Sequence, residues 1–168
     1  TMQSKTKKLL AALIAAGIVP AAHAADIKIG VAEALSGGAA QYGVSIRNGF
    51  QLAADEINAA GGINGNKIVL VVEDEQGKKE EAINVFKKLI FKDNVLMVFG
   101  PTLSNSAQAA DPIAQAAKTV AFGTSNTADG ITSIGNYVFR NSVTEADVLP
   151  ATISTVKAKT GLKNVAVL

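Results

Sequence analysis

The chain has 168 residues, with 16 lysines and arginines against 14 aspartates and glutamates, and it contains no cysteine. This length suffices for one domain with a buried core, and the absence of cysteine excludes a disulfide framework. The nearly balanced charge provides no basic patch, which excludes nucleic acids and anionic membranes as partners.

First in chain order is a segment, Met2 to Ala24, with the pattern of a secretory signal peptide. Lysines lead into eleven apolar residues, Leu9 to Val19, and small residues follow Pro20. This pattern predicts export from the cytoplasm and cleavage before Ala25. A membrane span needs about 18 apolar residues and lipid attachment needs a cysteine, so neither fits. A buried helix is the remaining alternative, and the small cleavage residues argue against it.

Removal of this segment changes the net charge and the set of residues available for catalysis. The mature chain of 144 residues would carry 13 basic and 14 acidic residues, a net charge near −1. The single histidine, His23, would be lost, which excludes a Ser-His or Cys-His nucleophile from the remainder. No glycine-rich dinucleotide or phosphate loop occurs either. The sequence therefore predicts no enzyme, no cofactor and no metal site.

Strand and helix patterns alternate through the rest of the chain. Strands are predicted at 27–32, 67–73, 95–99, 119–122 and 164–168, with a short extended piece at 137–139. Helices are predicted at 44–60, 80–92, 104–118 and 146–159. This alternation predicts an α/β fold with a doubly wound parallel sheet. The last strand barely begins, so we expect this chain to be a truncated, N-terminal fragment of a longer protein.

The helix predicted at 104–118 contains Asp111-Pro112. These two residues have two interpretations. Asp111 can cap a second helix that starts at Pro112, or the proline can kink one continuous helix.

Three loops after predicted strands are rich in hydroxyls, amides and glycines, and lack lysine, arginine and histidine. They span 34–43, 100–106 and 123–129. Ligands of such sheets bind beyond the carboxyl ends of the strands. We therefore expect a small-molecule site where the three loops meet.

The second loop offers an anion site at the start of a predicted helix. Free backbone N–H groups at Ser104, Asn105 and Ser106 attract an anion, and the Ser104 hydroxyl adds a donor. Helix capping by Ser104 or Ser106 is the alternative.

The other two loops offer three further candidates. Tyr42 is a candidate lid over the ligand, with ordinary surface or partial core as the alternative. Thr124 and Asn126 are candidates to hold an ammonium or hydroxyl, with turn chemistry as the alternative.

An acidic triplet, Glu73-Asp74-Glu75, follows the second predicted strand. A calcium or magnesium site needs about six oxygen ligands in a defined loop, and this spacing does not provide them. We expect a solvated strand end.

Several short motifs carry a further signal. They are Ile29-Gly30-Val31, Leu35-Ser36-Gly37, Gln41-Tyr42-Gly43, the stretch 54–65, Gly100-Pro101 with Ser104-Asn105-Ser106, and 137–140. Together they resemble the extracellular solute-binding proteins of ABC transporters for branched-chain amino acids, the leucine/isoleucine/valine-binding type with the type I periplasmic fold. The resemblance implies a periplasmic protein that delivers a small amino acid or related carboxylate to a membrane permease.

The resemblance also implies an organisation and a site. The first ligand-binding lobe would span 25–140, and 141–168 would form the hinge and the start of a second lobe. The α-carboxylate would lie at Ser104 and the backbone of Asn105–Ser106, the ammonium at Thr124, Ser125 and Asn126, and Tyr42 would be the lid. The family's third helix runs through its internal proline.

Two departures from the family's pattern leave the ligand open. Ala34 stands where the family usually has proline, and Asn126 stands in a loop where amino-acid binders tend to have smaller residues. One lobe supplies a few hydrogen bonds, which barely offset the cost of association, so we expect the isolated fragment to bind weakly. The alternatives in other classes are a sensory ligand-binding domain and an exported α/β enzyme.

Overall fold

A computed structural model describes residues 25–164. The predicted signal peptide and the last four residues, to which most of the predicted strand 164–168 belongs, lie outside the described residues. The strands are β1 (Ile27–Glu33), β2 (Ile68–Asp74), β3 (Met97–Phe99), β4 (Val120–Gly123) and β5 (Val138–Arg140). The helices are α1 (Ala40–Ala59), α2 (Lys79–Lys87), α3 (Ser104–Ala117) and α4 (Glu145–Thr160). A π-helical turn (Lys88–Lys92) continues α2, and a 3₁₀ turn (Thr132–Ile134) precedes β5.

All five strands pair in parallel, in the order β2-β1-β3-β4-β5. The predicted α/β fold with a parallel sheet is therefore confirmed. Since β1 leads outward to β2 and the chain then crosses back to β3, the winding direction reverses between β1 and β3. In sheets of this order, the crevice beyond the carboxyl ends at that reversal is the usual ligand site.

Side chains of the strands alternate between two helical layers. On one face, Ala32, Val98 and Ala121 are fully buried in a core with Phe86 and Leu89, under α2 and the adjoining α3. The next residues along β3 and β4 point to the opposite face. There Phe50 of α1 stacks on Phe99 with ring centroids 4.3 Å apart, and Phe99 meets Phe122 edge-on at 5.8 Å.

Helix α1 begins at Ala40, four residues before the predicted start. The stretch Gln41-Tyr42-Gly43, assigned to the loop from sequence, is its first turn. Position 43 requires a glycine because α1 crosses the end of β1 closely: a Cβ at this position would lie 2.1 Å from the carbonyl oxygen of Ala34. The glycine serves close packing, and it places Tyr42 on a helix rather than in a loop.

Helix α3 runs without interruption from Ser104 to Ala117 with Pro112 inside it. The interpretation of Asp111-Pro112 as a second helix start is therefore wrong. The continuous helix inferred from the family resemblance is confirmed.

Helix α4 lies at the end of the described chain, and all of its residues are exposed. Thr144 caps its first turn, because the Thr144 side chain accepts a hydrogen bond from the N–H of Asp147. None of the helices in residues 25–164 combines the length and apolar character of a membrane span.

Candidate functional site

The carboxyl edge of the sheet and the start of α1 enclose an open groove. Its polar end, with a volume of about 440 Å³, is lined by Gln41, Tyr42, Ser45, Ile46, Thr124 and Ser125. A smaller aromatic end, of about 190 Å³, is lined by Ile46, Phe50, Phe99, Phe122, Thr124 and Asn141. Both ends share Ile46 and Thr124, so they form one surface, called the groove below. It brings together three of the predicted site residues: Tyr42, Thr124 and Ser125.

Tyr42 projects from the first turn of α1 at the polar end of the groove. Its side chain is 65% exposed, so the partial-core interpretation is wrong. The ring therefore lines the polar end of the groove while remaining open to solvent.

Ser104 joins the start of α3 to the third loop. Its Oγ accepts hydrogen bonds from the N–H groups of Thr127 and Ala128, each at 3.1 Å. No side chain caps α3, whose flanking residue is Leu103, so the capping interpretation is wrong. A hydroxyl has two lone pairs and one hydrogen. Because both lone pairs are engaged, Ser104 retains its hydrogen for an acceptor such as a carboxylate.

The side chains of Asn105 and Ser106 are engaged within the protein and are not free to bind an anion. The side-chain oxygen of Asn105 accepts from the N–H of Ser106 at 2.8 Å. The Ser106 hydroxyl is fully buried and donates to Glu75 Oε2 at 2.8 Å. The structure therefore directs Ser106 into the interior, away from the groove.

The three consecutive residues of the third loop diverge. Thr124 and Ser125 line the groove, and Ser125 Oγ also donates to the carbonyl of Thr102 at 2.8 Å. Asn126 is only 1% exposed and packs against Gly123, where a Cβ would lie 2.2 Å from its amide nitrogen. Its amide donates to the carbonyl of Pro101 at 3.2 Å, and its Oδ1 has no partner. Asn126 therefore braces the loop from inside.

Glu33, which the sequence reasoning missed, lies behind the groove at the end of β1. Its carboxylate is fully buried, and Oε2 accepts hydrogen bonds from the hydroxyls of Thr102 and, at 3.2 Å, Thr124. Burial raises the pKa of Glu33 to about 7, against the two hydrogen bonds, and the charge of Glu75 raises it further. The available signal was an acid between Ala32 and Ala34, directly after the apolar residues that end the predicted strand.

The acidic triplet Glu73-Asp74-Glu75, at the end of β2, is not a solvated strand end, so that prediction was wrong. Glu75 is fully buried, and burial raises its pKa even though Ser106 donates to it. Burial also acts on Asp74, but hydrogen bonds from Ser36 and from the N–H groups of Gln76, Leu35 and Ser36 outweigh it and lower the Asp74 pKa. Glu73 pairs with Lys88. The triplet thus holds the first loop and the π turn in place.

Metal-binding side chains do not cluster in the part of the chain that the structure describes. No group of three His, Cys, Asp or Glu residues within 25–164 is placed to hold a metal ion. The groove presents hydroxyls and aromatic rings, which suit an organic solute held without a metal ion.

The sequence matches the model of the periplasmic binding protein family over residues 26–168. The chain belongs to this family. It is 33% identical over 168 residues to a Leu/Ile/Val-binding protein of Citrobacter freundii, covering 99% of this chain and 46% of that protein. The chain thus spans about half the length of this curated relative.

Solved structures give the same assignment. A branched-chain amino acid transporter substrate-binding protein of Streptococcus pneumoniae, in complex with isoleucine, is 35% identical with a TM-score of 0.74 over 80% of this chain and 38% of that one. A solute-binding protein of an ABC transporter from Rhodopseudomonas palustris, in complex with 3,4-dihydroxybenzoic acid, is 28% identical with a TM-score of 0.72 over 83% and 37%. The described residues therefore have the fold of one part of a periplasmic binding protein.

Proposed function

We propose that this protein is a periplasmic solute-binding protein that captures a small amino acid or a related carboxylate and delivers it to the permease of an ABC transporter. The observation that carries the proposal is the groove, where Tyr42, Thr124 and Ser125 meet at the carboxyl edge of the sheet. Relatives of this chain are binding proteins named for leucine, isoleucine and valine. This favours a binding protein over an enzyme and over a sensory domain.

The groove suits a solute with polar and apolar parts. Thr124 and Ser125 lie at its polar end, and Phe99 and Phe122 line its aromatic end. Ser104, at the adjoining helix start, keeps a hydroxyl hydrogen for a carboxylate because its lone pairs are engaged. Asn105, Ser106 and Asn126 contribute by holding these loops in place.

The domain organisation is part of the proposal. Residues 25–140 form the first lobe, and 141–168 form the hinge and the beginning of a second lobe. The exposure of α4 supports this division, because its apolar residues Leu149, Ile153 and Val156 are 52%, 54% and 40% exposed. Such a helix needs a partner surface. Closure of the two lobes over the solute is then a hinge motion stabilised by contacts from both.

Export completes the proposal. Residues 2–24 are removed as a signal peptide, and the mature protein carries no lipid because no cysteine follows the cleavage position.

Ligand identity is tested by calorimetry on the full-length protein with leucine, isoleucine, valine and 3,4-dihydroxybenzoate. We expect micromolar or tighter binding of at least one amino acid. Binding of the aromatic acid alone would keep the solute-binding class and reject the amino acid. No heat with any of the four, from protein shown to be folded, would contradict the proposed ligand class.

A further inference from the structure

A buried acid stands directly behind the groove. The Glu33 carboxylate is fully buried, and its Oε1 has no hydrogen-bond partner. Its Oε2 accepts from Thr124 Oγ1 at 3.2 Å and from the Thr102 hydroxyl. Thr124 lines both ends of the groove. One hydroxyl therefore links a buried titratable group to the candidate ligand site.

The hydrogen bond to Glu33 fixes the direction of the Thr124 hydroxyl. A hydroxyl carries one hydrogen and two lone pairs, and Thr124 directs its hydrogen to Oε2. What Thr124 presents to the groove is then a lone pair. A lone pair accepts a hydrogen bond from an ammonium group and repels a carboxylate oxygen. The Thr124 side of the groove therefore selects an N–H donor.

Thr102 keeps this arrangement from relaxing. It is fully buried, its Oγ1 accepts from the N–H of Ala34 at 2.9 Å, and it donates to Glu33. Thr102 is thus fixed between the ends of β1 and β3. Thr124, half-buried at the groove, is the partner of Glu33 that a solute can reach.

Acids rather than cations surround Glu33. Glu75 faces it from the end of β2, and Asp74 in the same turn is engaged with Leu35 and Ser36. β3 and β4 contribute the uncharged Thr102 and Thr124. The ionisable residues in the first two turns of α1, Tyr42 and Arg47, form no ion pair with it. In residues 25–164 the salt bridges are those of Lys88 with Glu73 and Asp93, so Glu33 has no paired cation.

We propose that Glu33 is a positioning residue for an amino acid ligand: it holds the Thr124 hydroxyl as an acceptor for the ligand's ammonium group, and the arriving ammonium drives Glu33 to release its proton. This inference rests on the proposed function, from which it takes the ligand class. An ammonium bound at Thr124 lies one hydroxyl away from Oε2 and favours the ionised carboxylate. The proton leaves to bulk water, so ligand capture and deprotonation are linked.

The size of the effect follows from the ionised fraction of Glu33. With a pKa of about 7, about 0.1 of the molecules are ionised at pH 6 and about 0.9 at pH 8. Because the ionised form binds the ammonium much more tightly than the neutral form, the apparent dissociation constant scales inversely with that fraction. Affinity for an amino acid should therefore rise about tenfold between pH 6 and pH 8. Leucine itself does not titrate in this range.

The test is calorimetry of the full-length protein with L-leucine and with 4-methylpentanoate, the same molecule without its ammonium group, at pH 6, 7 and 8. Measurements in two buffers of different ionisation enthalpy count the protons released. Glu33→Gln keeps the acceptor and removes the charge, Thr124→Val removes the hydroxyl, and Thr124→Ser restores it. Glu56→Gln, an exposed acid on α1, is the matched control.

For the wild type and Glu56→Gln we expect leucine affinity to rise about tenfold from pH 6 to pH 8, with proton release at pH 6 and 7. Glu33→Gln, which mimics the neutral form, should bind leucine independently of pH and no more tightly than the wild type does at pH 6. Thr124→Val should lose at least tenfold for leucine and little for 4-methylpentanoate, and Thr124→Ser should recover the loss. A pH-independent wild type, or an unchanged pH profile in Glu33→Gln, would overturn the role of Glu33 while leaving the solute-binding function standing. Failure of the wild type to bind leucine, isoleucine or valine at any pH would overturn both the role of Glu33 and the amino acid as ligand.

Discussion

Asp111 gives the sharpest test of how the core responds to pH. It lies in the middle of α3, is only 1% exposed, and its Oδ1 has no hydrogen-bond partner. Burial raises its pKa from 3.8 to about 7. The folded state therefore binds the Asp111 proton more tightly than the unfolded state does. We predict that Asp111→Asn stabilises the protein above pH 7.

The sign and magnitude follow from proton linkage. Below pH 4 both states are protonated at Asp111 and the stabilising contribution is complete; it is lost as the pH rises through 7. A difference of about three pKa units corresponds to about 4 kcal/mol, which is an upper bound. Asparagine has nearly the shape of the protonated acid and does not ionise. The two proteins should therefore be similar near pH 4 and differ by about 1–4 kcal/mol at pH 8, with the variant more stable.

Urea unfolding of the full-length protein at pH 4 to 8, followed by far-UV circular dichroism, measures the effect. Asp129→Asn is the control, because Asp129 is exposed. It should leave the pH dependence unchanged. The reasoning is refuted if Asp111→Asn and the wild type lose stability in parallel between pH 4 and 8, or if the variant is the less stable one at pH 8.

Three further predictions concern packing and binding. Gly43→Ala should destabilise the fold by about 1–3 kcal/mol or more, because the added Cβ meets the Ala34 carbonyl. The control Gly49→Ala, on the same helix with open space around it, should stabilise the fold by about 0.5–1 kcal/mol. Equal effects of the two variants in thermal unfolding would contradict the packing argument. Ser104→Ala should weaken leucine binding about tenfold or more in calorimetry, because it removes a hydrogen bond to a charged group. The control Ser133→Ala, at an exposed serine, should leave the affinity unchanged. Unchanged affinity in Ser104→Ala would rule out the carboxylate site. A polypeptide of residues 25–168 alone should bind leucine more weakly than micromolar, since one lobe must supply about 8 kcal/mol beyond the cost of association; a micromolar heat signal contradicts the two-lobe requirement.

The sheet was predictable because its strands are apolar and its helices amphipathic. Val98 and Ala121 are fully buried, as the apolar runs around them indicate. The start of α1 was not predictable in the same way. Gly43 follows two other glycines within six residues and resembles a loop residue, whereas its role is to let α1 approach Ala34. Such a close approach exists only once two distant segments are packed together, so local propensity does not encode it.

The candidate site was predictable as a location and less so as a set of contacts. The loops after β1, β3 and β4 do meet, and Thr124 and Ser125 line the groove as expected. Ser106 and Asn126 turn inward instead, because Glu75 and the Pro101 carbonyl offer them buried partners. Glutamate is almost never fully buried without a partner, so neither Glu33 nor Glu75 was a candidate from the sequence alone. Buried acids redirect the hydroxyls that a polar loop presents.

One of these buried acids connects the usual ligand position of such sheets with the groove. The reversal between β1 and β3 is where a sheet of this order usually opens a crevice. Here Thr102 bridges that point, accepting from the N–H of Ala34 and donating to Glu33. This bridge ties the ends of the two strands together, and the groove lies beside it, between α1 and the end of β4, where Thr124 stands. Glu33 thus reaches the candidate site through Thr124, and in our proposal the hydrogen bond to that hydroxyl determines what kind of group the site accepts.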